Sequence, residues 1–299
     1  MKKIILLLII LLGISSPAYC IAPDDYCPKA PYDISRGFSS FLSSATGVNF
    51  LTTQIAENGL EKLLKKELNN NFKVKIETFG GNNLLNGKFK KLTATGKALQ
   101  HSGMHISSVK AETMCEFNHI KYENDELYFV ENMVINYQGK ITQDDLKKVI
   151  TSNEYTNMVN KLAIGTNGIL LARIINMDIK IENNKIVMSY DVLVPMLIGS
   201  LPKHISFSTG LDVEDGKINF EGIDFGNPNT NKIMKSTLPL INKLNPLSYK
   251  VKTTPKNNAI VDVKTVKIIN NEIIVDGIIL IPKNYNKNNG ETKWIFFLN

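Results

Sequence analysis

Cysteine is scarce in this chain of 299 residues, which contains only 3 of them. A small disulfide scaffold needs many more, so an apolar core has to hold the fold together. The 19 glycines and 11 prolines are too few for a collagen-like or low-complexity chain. Hydrophobic residues make up 43% and charged residues 21%, and this balance excludes an intrinsically disordered chain.

Arginine is also rare, and the lysines that produce the net charge of +7 are scattered along the chain. A nucleic-acid-binding domain concentrates its basic residues on one face or in one run, so we expect no nucleic-acid partner. Two explanations of the charge stay open. One is a weak, transient attraction to anionic lipid headgroups at a membrane surface, and the other is an ordinary solvated surface rich in lysine and asparagine.

Long apolar runs are missing except at the N-terminus. Lys2 and Lys3 precede the unbroken apolar segment Ile4–Leu12, and small residues follow it. The segment is shorter than the ~20 residues that cross a bilayer, and its layout is typical of a secretory signal peptide. We predict a signal peptide over residues 1–20 and a soluble mature protein that is periplasmic or extracellular, with an N-terminal anchor as the alternative.

The cleavage point decides which cysteines remain in the mature protein. An early cut keeps Cys20, whereas a cut directly after it leaves Cys27 and Cys115. The bulky Tyr19 argues against a lipid anchor on Cys20. We expect a mature chain that begins within residues 19–24 without a lipid anchor. Because exported proteins retain disulfides, Cys27 and Cys115 are the pair that we expect to be bonded.

A ten-residue pattern recurs four times, with alternating apolar residues around a central Asn-Asp, Asn-Asn or Asp-Gly pair. Such pairs tolerate positive φ, which the two-residue type I′ turn of a β-hairpin requires. The copies are Ile120–Phe129, Ile179–Met188, Leu211–Phe220 and Val266–Val275. We predict tight turns at Asn124-Asp125, Asn183-Asn184, Asp215-Gly216 and Asn270-Asn271. Internal duplication and chance similarity among hairpins both explain the repetition.

These turns also set the register of each hairpin, since a two-residue loop leaves the residues on either side directly opposite each other. The apolar pairs expected on one face are Tyr122 with Leu127, Ile181 with Ile186, Val213 with Ile218, and Ile268 with Ile273. Further strands are predicted by alternation or apolar composition at Phe72–Glu77, Met104–Val109, Met133–Tyr137, Ile260–Val263, Ile278–Ile281 and Trp294–Leu298.

Apolar residues spaced three or four positions apart predict a long amphipathic helix over Val48–Leu68. Thr142 followed by Asp145 forms a capping-box pattern, which predicts a helix that continues to Ile150. Further helices are expected over Glu154–Ile164 and near Thr230–Leu244, where Pro239 has to kink or split the helix.

Strands joined by tight turns rather than by crossover helices indicate an antiparallel sheet and the α+β class. We predict a signal peptide at 1–20, an N-terminal extension at 21–46 and one domain at 47–299, with 47–141 and 142–299 as its two pseudo-halves.

The common catalytic motifs are missing, since the chain has no G-x-S-x-G, H-E-x-x-H or C-x-x-C. The segment Gly81–Lys88 resembles a phosphate-binding loop, but its spacing is one residue too long and Phe89 replaces the metal-binding hydroxyl. Asp144 and Asp145 are adjacent and therefore point in different directions from a helix. We therefore expect that the protein is not an enzyme and that it binds no cofactor.

Three of the four histidines lie close together in the sequence, at His101, His105 and His119, with Cys115 between the last two. A thiolate and three imidazoles are zinc ligands. However, closely spaced ligand pairs are missing and Gly103 interrupts a segment that alternates like a strand. We therefore expect strand and loop histidines rather than a metal site.

The order of several soft motifs resembles the LmeA-like phospholipid-binding family of secreted bacterial proteins. An amphipathic helix is followed by LLNGKFKKL at Leu84–Leu92, GMHISSVK at Gly103–Lys110, an alternating hairpin, and ITQDDL at Ile141–Leu146. The likeness covers roughly Val48–Ile281. The resemblance implies a phospholipid held in an apolar groove without catalysis. It also implies a fold similar to tubular lipid-binding proteins, in which a strongly curved antiparallel sheet wraps around a long helix.

Three groups of apolar residues are the candidate lipid site. The helical stripe of the first helix should lie along the concave side of the sheet and line part of a cavity, with the second helical region nearby. An apolar run between Pro195 and Pro202 is the candidate mouth. The residues are Ile55, Leu60, Leu63 and Leu64, then Val149, Met158 and Leu162, and finally Met196, Leu197 and Ile198. A hydrolase acting on lipid or glycan, with a site assembled from distant residues, is the alternative function.

Overall fold

The structure is a computed structural model and describes residues 22–29, 34, 48–68, 70–101, 103–123, 126–163, 173–195, 200–234, 238–247 and 260–283. Several predictions fall outside these residues. They are the signal peptide at 1–20, most of the extension at 21–46, the turn at Asn124-Asp125 and the strand at Trp294–Leu298. The proposed division at 47–141 and 142–299 stays a prediction.

Seven helices and thirteen strands are found in the described residues. The helices are α1 (Pro23–Tyr26), α2 (Val48–Leu68), α3 (Gly81–Leu85), α4 (Gln143–Ile150), α5 (Asn153–Ala163), α6 (Pro228–Met234) and α7 (Leu238–Lys243). The first strands are β1 (Phe72–Glu77), β2 (Lys88–Phe89), β3 (Lys91–His101), β4 (Met104–Thr113), β5 (Asn118–Glu123), β6 (Glu126–Phe129) and β7 (Met133–Thr142). The others are β8 (Arg173–Glu182), β9 (Lys185–Pro195), β10 (Ser200–Glu214), β11 (Lys217–Asp224), β12 (Ile260–Ile269) and β13 (Glu272–Ile281).

The strands form three sheets in which every described pairing is antiparallel. The six-stranded sheet has the order β1-β3-β4-β7-β13-β12, the four-stranded sheet β11-β10-β9-β8, and the three-stranded sheet β2-β5-β6. The predicted α+β class with antiparallel strands is therefore confirmed. β13 pairs with β7, with Val275 opposite Gly139, so a distant hairpin completes the sheet that begins at β1.

Three of the predicted turns are confirmed. The central residues Asn183 and Asn184 have φ of 52° and 56°, Asp215 and Gly216 52° and 68°, and Asn270 and Asn271 52° and 60°. Positive φ at both positions is the type I′ geometry. All four hairpins have the predicted register, with Tyr122 opposite Leu127, Ile181 opposite Ile186, Val213 opposite Ile218 and Ile268 opposite Ile273.

The helices agree closely with the sequence patterns. α2 has the predicted bounds, α4 begins after the predicted Thr142 cap, and α5 lies within one residue of its prediction. In the third helical region the structure describes α6 and α7, and Pro239 is the second residue of α7. Proline fits the first turn of a helix because the N–H groups there have no partner within the helix.

The six-stranded sheet buries one face. Its inner face carries alternating buried residues such as Val74, Ala94, Ala111 and Ile135, and it shares one continuous core with buried residues of the four-stranded sheet, such as Ile179. The opposite, outer face carries the residues in between. Side chains alternate along a strand, so each strand of this sheet contributes to both faces.

A disulfide joins the N-terminal segment to the outer face. Cys27 and Cys115 are bonded, with their Cα atoms 5.2 Å apart, as the sequence predicts. A second, smaller buried cluster forms around this bond from Cys115, Val134, Ile278 and Leu280, against which Tyr26 packs. The N-terminal segment therefore covers one end of the outer face.

Candidate functional site

An apolar cavity lies between α2 and the inner face of the six-stranded sheet. Its free volume is about 50 Å³. α2 contributes Leu60 and Leu64, and the remaining walls come from strands and connections. These other lining residues are Val74, Phe89, Leu92, Ala94, Ala111, Glu112, Thr113, Ile120, Phe129, Met133 and Ile135. We call this space the apolar cavity.

Two of the four residues predicted on α2 line the apolar cavity. Leu64 is buried, and Leu60 and Leu63 are half-buried against the core, but Leu63 is not part of the lining. The prediction for Ile55 is wrong, since its side chain is 72% exposed. Successive residues turn by about 100° around a helix, which places Ile55 about 140° away from Leu60 and on the solvent side.

Two glutamates of α2 hold the helix against the edge of the sheet. Glu57 Oε1 accepts a hydrogen bond from the backbone N–H of Ile76 at 2.8 Å, and Glu61 Oε1 accepts one from Val74 at 2.9 Å. Four residues of a helix rise about 6 Å, close to the roughly 6.7 Å between alternate N–H groups on a strand. α2 thus supplies acceptors for two outward N–H groups of β1, an edge strand, and protects it from pairing with another strand.

The second helical region lies elsewhere in the core. Val149 of α4 is buried and Met158 of α5 is half-buried, but neither lines the apolar cavity. α4 packs between β4 and β8 and α5 against β8. α4 contacts β4 at Ser107, whereas the cavity is lined by the other end of that strand, at Ala111 and Thr113. The side chains of Leu162, Met196, Leu197 and Ile198 lie outside the described residues.

Sequence reasoning missed the strand residues of the cavity wall. The buried alternation of β1, with Phe72, Val74 and Ile76 inward, is visible in the sequence as an inward-facing row. What the sequence does not show is which rows lie next to one another, since β4 pairs with β7 across an intervening hairpin. The sequence therefore indicates which residues of β1 are buried, but it does not indicate which strands lie next to one another.

A second concave region lies on the outer face of the same sheet, and we call it the basic groove. Its volume is about 720 Å³. Four lysines line it, together with small polar residues and short apolar stretches, and no aspartate or glutamate belongs to its described lining. The lining residues are Lys73, Lys97, Lys110, Lys140, Asn70, Asn71, Phe72, Thr95, Gly96, Ala98, Ser108, Val109, Gln138 and Ile274.

The carboxylate of Asp145 accepts three hydrogen bonds at the start of α4. Ser107 Oγ donates to its Oδ2, as do Thr142 N at 2.9 Å and Thr142 Oγ1 at 2.7 Å. Burial raises the pKa of Asp145, but these hydrogen bonds and the charge of Lys148 outweigh it and lower the pKa below its ordinary value. His105 also lies near Asp145, and burial and Lys148 lower its pKa. The hydroxyl of Ser107 is bonded to a helix-capping carboxylate, so this arrangement stabilises α4 rather than activating a nucleophile.

A histidine–aspartate pair lies on the four-stranded sheet. His204 Nδ1 and Asp191 Oδ1 are 2.9 Å apart, and Asn176 Nδ2 donates to Asp191 Oδ2 at 2.9 Å. Hydrogen bonds from Asn176 and His204 lower the pKa of Asp191. Nucleophilic catalysis also needs a hydroxyl or thiol bonded to the imidazole, and in the described part of the chain no such bond to His204 is formed.

The described residues contain no cluster of three or more His, Cys, Asp or Glu side chains arranged to hold a metal ion. Cys115, which the sequence placed among four possible zinc ligands, is bonded to Cys27. The side chain of His101 lies outside the described residues. His119 is buried, and burial followed by the charges of Lys88 and Lys121 lowers its pKa.

Neither a protein-family model, nor a curated protein, nor a solved structure matches this chain. Among the described helices, none is both long enough and apolar enough to cross a membrane. The apolar cavity and the basic groove are the two features of the described residues that bear on function.

Proposed function

We propose that this chain is an exported bacterial envelope protein that binds a phospholipid or related acyl lipid in an apolar groove, without catalysis. The observation that carries the proposal is the apolar cavity beneath α2. Its walls are aliphatic and aromatic apart from Thr113 and Glu112. Each CH₂ group that leaves water for such a site contributes about 0.8 kcal/mol, so an acyl chain can bind there without any reacting group.

Lipid entry requires α2 to move away from the sheet. The free volume of about 50 Å³ has room for only a few water molecules, which is much less than an acyl chain needs. Of the described side chains of α2, only Leu64 is fully buried. Moving the helix outward exposes few buried side chains, and an acyl chain in its place would cover the same sheet residues again.

Two further features support the same function. The order of motifs over Val48–Ile281 resembles the LmeA-like family. The proposal therefore includes the fold that this resemblance implies, a sheet that curves strongly around a long amphipathic α2. The bond between Cys27 and Cys115 supports export, because disulfides persist in oxidising compartments. An envelope hydrolase is the weaker candidate, because the carboxylate bonded to the Ser107 hydroxyl is the capping group Asp145, and among the described residues no hydroxyl or thiol is bonded to His204.

The test is native mass spectrometry of the full chain, purified without detergent from a bacterium that exports it. We expect the wild-type protein to carry an added mass that is released into organic solvent as phospholipid. Leu60→Trp places a larger side chain into the cavity from a half-buried position. This variant should lose most of the bound lipid while keeping its thermal unfolding transition.

Ile55→Trp is the matched control, because it adds the same side chain to the same helix at an exposed position. It should retain lipid at the wild-type level. Wild-type protein without lipid, or equal lipid occupancy in Leu60→Trp and wild type, would contradict the proposal. Leu63 is unsuitable for this test because it packs against the core outside the cavity.

A further inference from the structure

The lysines of the basic groove lie in two rows across neighbouring strands. In the first row, Lys73 is opposite Thr95, Thr95 is opposite Lys110, and Lys110 is opposite Gln138. In the second row, Lys97 is opposite Ser108, which is opposite Lys140. All of these side chains share the outer face, because the residues next to them along each strand are those of the buried inner face.

The charge of these rows is only partly neutralised within the protein. Lys140 pairs with Glu272 at 2.6 Å, and Lys110 lies 3.4 Å from Glu112. Glu112 has a closer partner in Lys91, at 2.6 Å. Lys73 and Lys97 are exposed, and neither forms an ion pair with a carboxylate of the described residues. The groove therefore presents excess positive charge to an external partner.

The spacing of the lysines favours an extended anionic partner over a single small anion. Lys73 is on β1 and Lys140 on β7, three strands away in the sheet. Adjacent strands are about 4.8 Å apart, and Lys140 lies two residues beyond the row of Lys73, so the two backbone positions are about 16 Å apart. One phosphate group cannot reach all four lysines, whereas the headgroups of a bilayer surface offer an array of phosphates.

A single-stranded nucleic acid fits this face poorly. Such ligands are bound by aromatic side chains on which bases stack, in addition to positive charge. Phe72 is the aromatic residue of the described lining, and it is buried at 5% exposure with its ring against Gly96, where a Cβ atom would be 2.4 Å from Phe72 Cε1. The groove thus offers charge and hydrogen-bonding groups rather than stacking surfaces.

The basic groove and the apolar cavity lie on opposite faces of the sheet, but β1 contributes to both. Asn70 and Asn71 line the groove and lead from α2 into β1. On the same strand Val74 lines the cavity, one residue after Lys73, which lines the groove. A bilayer on the outer face would therefore lie beside the helix that has to move for lipid entry.

We propose that the outer face of the six-stranded sheet, at Lys73, Lys97, Lys110 and Lys140, docks on the surface of a bilayer that contains anionic phospholipid. This inference rests on the proposed function in one respect, because it takes phospholipid to be the ligand. The docking itself is electrostatic, reversible and weakened by salt.

Vesicle co-sedimentation of the full mature chain tests the docking. The vesicles are phosphatidylcholine alone and a mixture of phosphatidylcholine and phosphatidylglycerol, each at low and high ionic strength. We expect binding to the mixed vesicles at low ionic strength only. Each lysine near an anionic surface is worth about fivefold in affinity, so Lys73→Gln, Lys97→Gln and Lys110→Gln together should weaken binding on the order of a hundredfold.

The matched control removes the same charge from the four-stranded sheet. Lys180, Lys185 and Lys203 are exposed there, and their joint replacement by Gln should leave vesicle binding within about twofold of wild type if docking is confined to the outer face. Equal losses in the two triple variants would overturn the assignment of this face. Equal binding to neutral vesicles, or binding to double-stranded DNA in place of mixed vesicles, would overturn the choice of partner.

A further comparison separates this inference from the proposed function. The outer-face triple variant should keep its bound lipid in native mass spectrometry, whereas Leu60→Trp should keep vesicle binding. Vesicle docking without co-purified lipid would support the docking surface and contradict lipid binding in the cavity. Co-purified lipid with no vesicle docking in the wild type would contradict the docking surface and support lipid binding in the cavity.

Discussion

Tyr137 and Tyr155 are buried tyrosines whose hydroxyl groups lie in different surroundings. Tyr155 Oη donates a hydrogen bond to the backbone carbonyl of Leu244. Tyr137 Oη is buried with no hydrogen-bond partner among the described residues, in a space where a Cβ atom on Gly277 would be only 2.6 Å away. Burial, followed by the charges of Asp262 and Asp276, raises the pKa of Tyr137.

The first prediction compares the removal of these two hydroxyl groups. Leaving a buried polar group without a partner costs about 1–3 kcal/mol, and a satisfied hydrogen bond contributes about 1 kcal/mol. We expect Tyr137→Phe to raise the free energy of unfolding by about 1 kcal/mol, and Tyr155→Phe to lower it by about as much. Urea denaturation of both variants at neutral pH measures the two effects.

The two tyrosine variants are each other's control, since each removes one oxygen atom from a buried ring. A loss of stability in Tyr137→Phe equal to that in Tyr155→Phe would show that the Tyr137 hydroxyl has a partner in the folded protein.

At the scale of single elements, α4 shows how a short helix is fixed at its start. Thr142 Oγ1 accepts from Asp145 N, and the Asp145 carboxylate accepts from Thr142 N, which completes the capping box. Ser107 on β4 adds a bond to the same carboxylate. Gln143 Oε1 accepts from Ile181 N on β8 at 2.9 Å. The start of this helix therefore links the six-stranded and four-stranded sheets.

The second prediction concerns Asp145→Asn. The change removes the charge and part of the capping box, and we expect the free energy of unfolding to fall by about 1–2 kcal/mol at neutral pH. Asp144→Asn is the control, because Asp144 is the exposed neighbour in the same helical turn. Its loss should stay below about 0.5 kcal/mol. Urea denaturation measures both.

The pH dependence of the same substitution has a definite sign. The folded protein lowers the pKa of Asp145, so its contribution is present above the pKa of the unfolded chain, about 3.9, and is lost as pH falls through the folded value. The difference in stability between wild type and Asp145→Asn should therefore shrink as the pH falls below about 4. A difference that stays constant down to the acid limit would contradict the role of the carboxylate.

At the scale of the whole molecule, the disulfide closes a large part of the chain. Cys27 and Cys115 are 88 residues apart in the sequence. The bond holds the N-terminal segment over Val134, Ile278 and Leu280, which would otherwise leave apolar surface on the outer face. It constrains the unfolded chain and preserves this second buried cluster in the folded one.

The third prediction is that removal of this bond lowers the stability of the entire fold. Cys27→Ala together with Cys115→Ala should reduce the free energy of unfolding by about 2–5 kcal/mol. Wild type in reducing buffer should approach the stability of the double variant, and the double variant itself should not respond to the reductant. Equal stability of wild type with and without reductant would show that the bond contributes nothing to the fold.

Local patterns in the sequence predicted much of the architecture. Asp215-Gly216 predicted a two-residue turn, because both residues tolerate positive φ. A two-residue loop leaves only one pairing of the flanking strands, so the turn also set the register. Thr142 and Asp145 predicted the start of a helix, because together they form a capping box. The candidate site was predicted less well, since Leu60 and Leu64 line the cavity but Ile55 faces the solvent. Apolar residues spaced three or four positions apart form a stripe that is wider than the part of the helix in contact with the sheet. Residues at the edge of the stripe, such as Ile55, therefore face the solvent.

The sequence by itself predicted most of the described elements, the hairpin registers and the cysteine pair, because turn chemistry, side-chain period and capping act over a few residues. It did not predict α1, α3 or the long strand β3. Only the tertiary structure decided that β13 lies beside β7, and that Lys73 and Lys140 share one face with three strand spacings between them. Pairing between distant strands depends on which apolar faces pack together in the core. That choice is a property of the whole chain, and no window of the sequence contains it.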